Sequence, residues 1–166
     1  MKGPKGSDRL KIEQVLTVLR ETPGRVAGIT AGLTPIKLRG RPGNDEWSAN
    51  DVLAHLRACA DVWGGCMFKI ISEERPTLKA INPRAWIEST DYPEQEFCAS
   101  LRAFTKQRAE LMSVLEPLPS SGWSRSATVT GAGAVLVRTV LIYAERLARH
   151  ERPHVKQIER IVQAVR

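Results

Sequence analysis

Helical periodicity is the feature that most constrains the fold of this chain. From about residue 134 to residue 165, apolar side chains recur every three or four residues, which places them on one face of a helix. Similar stripes cover about residues 8–33, 48–70 and 94–115, and no alternating pattern is long enough to predict a sheet. Four amphipathic segments joined by loops predict an all-α fold, specifically a four-helix bundle.

Capping residues and prolines predict where the helices begin and end. Ser48 and Asp51 have the three-residue spacing of a capping box at the start of the second helix. Thr22-Pro23 interrupts the first helix, and we expect Thr22 to cap a second segment there, because proline is tolerated at a first helical position. In the loop before the last helix, residues 128–130 fit a short extended piece.

Size and charge indicate a small domain with a basic surface. We expect the 166 residues to form a single domain, with residues 1–9 as a disordered tail. Lys and Arg outnumber Asp and Glu by 25 to 18, which gives a formal net charge of +7. The basic residues are spread along the chain without a run of five or six, which favours a solvated basic surface over a nucleic-acid interface.

The cysteines and the lengths of the apolar runs indicate the cellular compartment of the protein. Cys59, Cys66 and Cys98 are odd in number and show no CxxC spacing, and the first residues do not resemble a secretory signal. Reduced thiols in the cytoplasm fit this pattern. No apolar run approaches the roughly 20 residues of a membrane helix, so we expect no membrane insertion.

All three histidines, His55, His150 and His154, fall on the apolar stripes of predicted helices. A buried imidazole needs partners for its ring nitrogens, and a divalent ion is a partner that three of them can share. His150 and His154 are four residues apart, so their Cβ atoms lie roughly 6 Å apart on one helix face. One such histidine alone would more often be bonded to the backbone, but the three together predict a metal site with open coordination positions.

The segment from His150 to His154 also matches the H-E-x-x-H signature of zinc proteases. No histidine follows His154 to complete such a site, and Pro153 lies inside the motif, where it removes a helical hydrogen bond and predicts a kink. We therefore interpret the match as accidental. Glu151 is expected to be exposed or to lie behind the ligands, rather than to act as a general base.

Arg108 and Cys59 are further candidates near the predicted site. Arg108 interrupts the apolar stripe of the third helix, where it could bind a carboxylate of a substrate or of a thiol. The alternatives, which we favour, are a buried ion pair with a helix carboxylate or an arginine at the edge of the stripe. Cys59 lies one turn beyond His55 and could be a fourth ligand, although a buried structural cysteine is the more common case.

Several segments resemble the DinB-like superfamily of metalloenzymes. WSANDVLAHL, at residues 47–56, is similar to the opening of the family's second helix. HERPHVKQI, at residues 150–158, is similar to its closing motif His-x-x-x-His-x-x-Gln-Ile. NPRAW at residues 82–86 and the Leu-Pro pair ahead of Trp123 also resemble members, so the likeness extends from about residue 10 to residue 161.

The resemblance implies a bundle with up-down-down-up connectivity that forms a homodimer. It also implies that His55, His150 and His154 hold a divalent ion such as zinc or nickel. Relatives include S-transferases that use bacillithiol or mycothiol, a thiol-dependent maleylpyruvate isomerase, and proteins described as metal-dependent hydrolases.

Three functions are compatible with these features. The first is a metal-dependent S-transferase, in which the ion binds a low-molecular-weight thiol as thiolate and a small molecule is the substrate. The second is a hydrolase that activates water on the same ligands. The third is a non-catalytic stress-response or DNA-binding protein, which uses the basic surface instead of a metal.

Overall fold

Four long helices form the body of the protein in the computed structural model, which describes residues 9–166. The predicted tail lies outside the described residues, apart from Arg9. In chain order the elements are α1 (Ile12–Thr30), α2 (Pro35–Arg39), α3 (Ala49–Ser72), β1 (Thr77–Lys79), α4 (Pro83–Ile87), α5 (Phe97–Leu115), α6 (Ser120–Trp123), β2 (Ser126–Thr130), β3 (Leu136–Thr139) and α7 (Val140–Val165). None of the helices in this part of the chain is both long and apolar enough to span a membrane.

Two apolar clusters fill the core and show the direction of each long helix. One cluster holds the N-terminal halves of α1 and α7 and the C-terminal halves of α3 and α5, and the other cluster holds the opposite ends. The connectivity is therefore up-down-down-up, and the predicted four-helix bundle is confirmed. Each long helix contributes buried residues to both clusters, for example Leu16, Met67, Leu115 and Leu147 to the first, and Val26, Leu53, Phe104 and Ile158 to the second.

The long connection between α3 and α5 follows from this connectivity. Because the two helices are parallel, the chain must return along the length of α3 before α5 can begin. Asp61 on α3 anchors the returning segment: it accepts hydrogen bonds from Trp86 Nε1 at 3.0 Å and from the Tyr92 hydroxyl at 2.7 Å. The side-chain amide of Gln107 on α5 also donates to Asp61, so one carboxylate ties the connection to two helices.

A three-stranded sheet at one end of the bundle shows that the prediction of no sheet was wrong. β1 pairs parallel to β2, and β2 pairs antiparallel to β3. The extended piece predicted at 128–130 lies within β2, but α7 begins at Val140 instead of residue 134 because residues 136–139 form β3. Thr139 then caps α7, since its hydroxyl accepts a hydrogen bond from the Ile142 amide at 3.1 Å.

The prediction that Thr22 caps a second segment of the first helix was also wrong, because α1 runs unbroken through Pro23. The Thr22 hydroxyl donates instead to the Val18 carbonyl at 2.8 Å. Pro23 has no N–H for the carbonyl of Leu19, four residues earlier. That carbonyl accepts a hydrogen bond from Arg108 Nη1 at 2.8 Å, so a side chain from α5 replaces the missing helical bond.

The predicted capping box at the start of α3 is present. The Ser48 amide donates to Asp51 Oδ2 at 2.9 Å, and the Asp51 amide donates to Ser48 Oγ at 3.0 Å. These reciprocal bonds satisfy two amides that the helix itself leaves without partners. They fix the first turn of the helix that carries His55.

Candidate metal centre

The three histidines meet where α3 lies against α7. The Nε2 atoms of His55 and His150 are 2.9 Å apart. The ring centroid of His154 lies 4.9 Å from that of His55 and 4.6 Å from that of His150. α7 is continuous from Val140 to Val165, so Pro153 does not interrupt the helix between the two histidines. The rings of the three histidines that the sequence singled out therefore adjoin one another, but the ligand atoms that lie within 4.8 Å of one another belong to His55, Cys59 and His150, a set that does not include His154.

Burial and neighbouring positive charge keep two of these imidazoles neutral. His55 is 5% exposed and His150 is half-buried. Burial, together with the charges of His154, His150 and Arg84, lowers the pKa of His55 to about 4. Burial, with His154, Arg84 and Arg146, likewise lowers the pKa of His150 to about 4. Both rings therefore carry free lone pairs at neutral pH, which is the form that binds metals.

His154 is oriented by two neighbours. Its Nδ1 lies 2.7 Å from the side-chain oxygen of Gln157, which can only accept a hydrogen bond, so Nδ1 carries the proton. The lone pair of the neutral ring is then on Nε2. The ring also stacks on Trp47, with centroids 6.3 Å apart and planes inclined by 9°. A hydrogen bond of this kind on the second nitrogen is typical of histidines that ligate metals.

The donor atoms suit a divalent ion. Two imidazole nitrogens on a tetrahedral ion, with Zn–N bonds of about 2.0–2.1 Å, lie about 3.3 Å apart. The 2.9 Å between the Nε2 atoms of His55 and His150 is within a few tenths of an ångström of this separation. Small side-chain rotations would therefore seat an ion between these rings.

Cys59, which the sequence offered as a possible fourth ligand, lies against His55. Its Sγ is 3.6 Å from His55 Nε2, and the ligand atoms of His55, Cys59 and His150 all lie within 4.8 Å of one another. Burial, together with the negative charge of Glu151, raises the pKa of the Cys59 thiol to about 12. The thiol is therefore protonated at neutral pH and is a poor nucleophile by itself.

Glu151 forms a buried ion pair with Arg108. Of the two positions expected for Glu151, the exposed one was wrong: Glu151 is 0% exposed, and both of its carboxylate oxygens accept hydrogen bonds from the Arg108 guanidinium. This is the buried ion pair that we favoured for Arg108, which is itself 3% exposed. Glu151 cannot serve as the general base of a zinc protease while both of its oxygens are bonded in this way. A role for Arg108 in substrate binding stays a prediction.

Two tryptophan–arginine pairs flank the histidines, and the sequence reasoning did not assign them to the site. Trp63 contacts His150 edge-on, with ring centroids 5.1 Å apart, and the Arg146 guanidinium lies 5.6 Å from the Trp63 ring centroid. On the other side, Arg84 lies 5.9 Å from the Trp47 ring centroid. Helical spacing alone could have predicted that Arg146 lies near the site, since it precedes His150 by one turn.

Comparison with known proteins identifies the family. The model of the DinB superfamily matches residues 19–158, a range that includes all three histidines. This chain belongs to the DinB superfamily. A comparison with curated protein sequences gives no match.

A solved structure shares the fold. YfiT from Bacillus subtilis, described as a probable metal-dependent hydrolase with an unusual four-helix bundle topology, superposes with a TM-score of 0.76 at 18% sequence identity. The match covers 98% of this chain and 92% of that chain. The DinB-superfamily chain described here therefore has the architecture of YfiT over nearly its whole length.

Proposed function

We propose that this chain is a divalent-metal-dependent enzyme in which His55, His150 and His154 hold a zinc or nickel ion. The observation that carries the proposal is the 2.9 Å approach of the His55 and His150 Nε2 atoms, from helices that are far apart in sequence. Imidazole is a preferred ligand of both metals. Three protein ligands leave at least one coordination position for a substrate, which is typical of catalytic sites.

The reaction that we propose is thiol transfer to a small-molecule substrate. When bound, the ion would supply the positive charge that deprotonates a coordinating low-molecular-weight thiol. In the metal-free protein, burial raises the pKa of Cys59 to about 12, so the protein's own thiol is protonated there and is not a nucleophile by itself. Since Glu151 is bonded to Arg108, it is not available to take a proton from water, which favours thiol transfer over hydrolysis.

A metal-dependent hydrolase is the second candidate. It is favoured by the likeness to YfiT, which is described as a probable metal-dependent hydrolase. The same three histidines would serve it, so the two candidates differ in the co-substrate and not in the ligands.

Metal analysis and two assays test this proposal. We expect purified protein to bind about one equivalent of zinc or nickel per chain and to lose it in the His150→Ala variant. Lys106→Gln, an exposed change on α5, is the control and should retain the metal. Activity on an electrophilic aryl halide that requires added thiol supports transfer, whereas cleavage of an activated ester without thiol supports the hydrolase. Full metal occupancy in His150→Ala would refute the site.

The compartment and the oligomeric state are part of the proposal. Cys59, Cys66 and Cys98 are free thiols, which fits the reducing cytoplasm. The homodimer implied by the family resemblance predicts a mass in light scattering of twice the 18.4 kDa of one chain.

A further inference from the structure

A groove beside His150 has an excess of positive charge. Its volume is about 950 Å³, and its charged lining residues are three arginines and one glutamate: Arg9, Arg146, Arg149 and Glu145. The Glu145 carboxylate accepts hydrogen bonds from the Leu10 amide at 2.9 Å and from Arg149 Nε at 3.0 Å. Among the described residues that line the groove, the one acidic group is therefore already engaged by the backbone and by one of the arginines.

Two further grooves, lined by described residues that include His154 or His55, are balanced in charge. The groove of about 740 Å³ beside His154 and the groove of about 440 Å³ beside His55 each contain two arginines and two acidic residues. The opposite charges in these grooves offset one another, whereas those beside His150 do not. The charged residues are Arg84, Arg160, Asp45 and Glu46 in the first of these, and Arg41, Arg84, Asp45 and Asp51 in the second.

Among the arginines of this groove, Arg146 is the one placed to bind an anion beside His150. It lies one turn before His150 on α7, and its guanidinium rests 5.6 Å from the centroid of the Trp63 ring, which in turn contacts His150. Its charge is close enough to lower the pKa of His150. Within residues 9–166 no carboxylate forms a salt bridge with Arg146, whose exposed side chain lines the groove.

We propose that Arg146 and Trp63 form an anion-binding site for a small carboxylate-bearing thiol. The carboxylate pairs with the Arg146 guanidinium, the carbon chain lies on the Trp63 indole, and the sulfur reaches the metal beside His150. This inference rests on the proposed function for the sulfur contact, whereas the carboxylate contact depends on Arg146 and Trp63 alone. Charge-assisted pairing with a guanidinium makes such recognition specific, because arginine can donate two parallel hydrogen bonds to one carboxylate.

Thiol titrations of cobalt-loaded protein test the proposal. The absorption band of a thiolate bound to cobalt reports binding without catalysis. We expect mercaptosuccinate to bind roughly 10-fold or more tightly than 2-mercaptoethanol, a preference that shrinks as salt is raised. In Arg146→Gln the preference should disappear, while the affinity for 2-mercaptoethanol stays the same. Lys106→Gln, which removes the same charge far from the groove, should keep the preference.

A second measurement separates this inference from the proposed function. Succinate is titrated calorimetrically into metal-free protein, with uncharged succinamide as the reference ligand. Succinate binding that is lost in Arg146→Gln supports the carboxylate site, even if cobalt fails to bind and the metal site is thereby refuted. Equal affinities of wild type and Arg146→Gln for succinate and for mercaptosuccinate would overturn the inference, even in a protein that binds cobalt.

Discussion

Arg108 and Glu151 join three helices at the level of the candidate metal centre. Arg108, on α5, donates to the Leu19 carbonyl of α1 and to the Glu151 carboxylate of α7. Its guanidinium also lies 5.1 Å from the Phe104 ring centroid, so it contacts residues of both apolar clusters. Because Glu151 follows His150, this pair fixes the rotation of α7 that turns His150 toward His55.

Removing one member of this pair should destabilise the fold strongly. Glu151→Gln leaves a buried guanidinium without its counter-charge, and we expect a loss of about 3–5 kcal/mol in the free energy of unfolding, measured by urea denaturation. The double variant Arg108→Met/Glu151→Met should recover much of this loss, because no buried charge remains.

An exposed ion pair provides the control for this prediction. Arg20 and Glu116 are about half exposed, so Glu116→Gln should cost no more than about 1 kcal/mol. If Glu151→Gln proves as mild as Glu116→Gln, the buried pair does not hold the helices as described.

The lowered pKa values of His55 and His150 predict acid sensitivity of the metal-free protein. The pKa of each falls from 6.5 to about 4 on folding, so the unfolded chain binds more protons over this range. The contribution of the two neutral imidazoles to the free energy of unfolding is complete above about pH 6.5 and is lost progressively as the pH falls toward 4. Urea midpoints measured across this range should drop, and His150→Asn should make the drop shallower. An equally steep drop in His150→Asn would contradict this assignment.

At the scale of elements, the β2–β3 hairpin depends on glycines with positive φ. Gly131 and Gly133 have φ values of +83° and +85°, in the left-handed region that other residues rarely adopt. The sequence predicts loop and helix for this stretch, because residues 134–139 continue the apolar spacing of α7. The pairing of residues 136–139 with β2 is a non-local interaction, and no periodicity within the segment reports it.

Two glycines with open space at the position of an added Cβ provide a matched test of this hairpin. A Cβ added at Gly133 or at Gly28 would meet nothing within 4 Å, so only the backbone conformation differs between them. We expect Gly133→Ala to lower the free energy of unfolding by roughly 1–2 kcal/mol. Gly28→Ala, within α1, should raise it by up to about 1 kcal/mol. Urea denaturation of both variants checks this, and a neutral Gly133→Ala would count against the turn.

The uninterrupted α1 shows a second limit of local sequence signals. Proline at position 23 predicted a helix boundary, since it deletes one hydrogen bond. The compensating donor, Arg108, lies 85 residues later in the sequence and could not be identified from the residues around Pro23. In contrast, the capping box at Ser48 is wholly local, and it formed as predicted.

At the scale of the whole molecule, the stripes and the family motifs were sufficient to predict the bundle and the meeting of His55, His150 and His154. Both depend on which helix face is apolar, and periodicity reports that directly. The neighbours of the site were predictable only in part: helical spacing offered Cys59 as a candidate ligand, and the apolar stripe favoured a buried ion pair for Arg108. That Glu151 is the partner of Arg108, and that Arg146 lies against Trp63, depends on how the helices are rotated against one another, which only the packed structure specifies.

X-ray absorption spectroscopy of the zinc-loaded protein measures the proposed ligand set itself, because it reports the number and type of atoms bound to the ion. We expect three imidazole nitrogens at about 2.0–2.1 Å, one of them lost in His150→Ala, and no sulfur at about 2.3 Å in the absence of added thiol. A set of bound atoms without imidazole nitrogen, or one unchanged by His150→Ala, would contradict the three-histidine site.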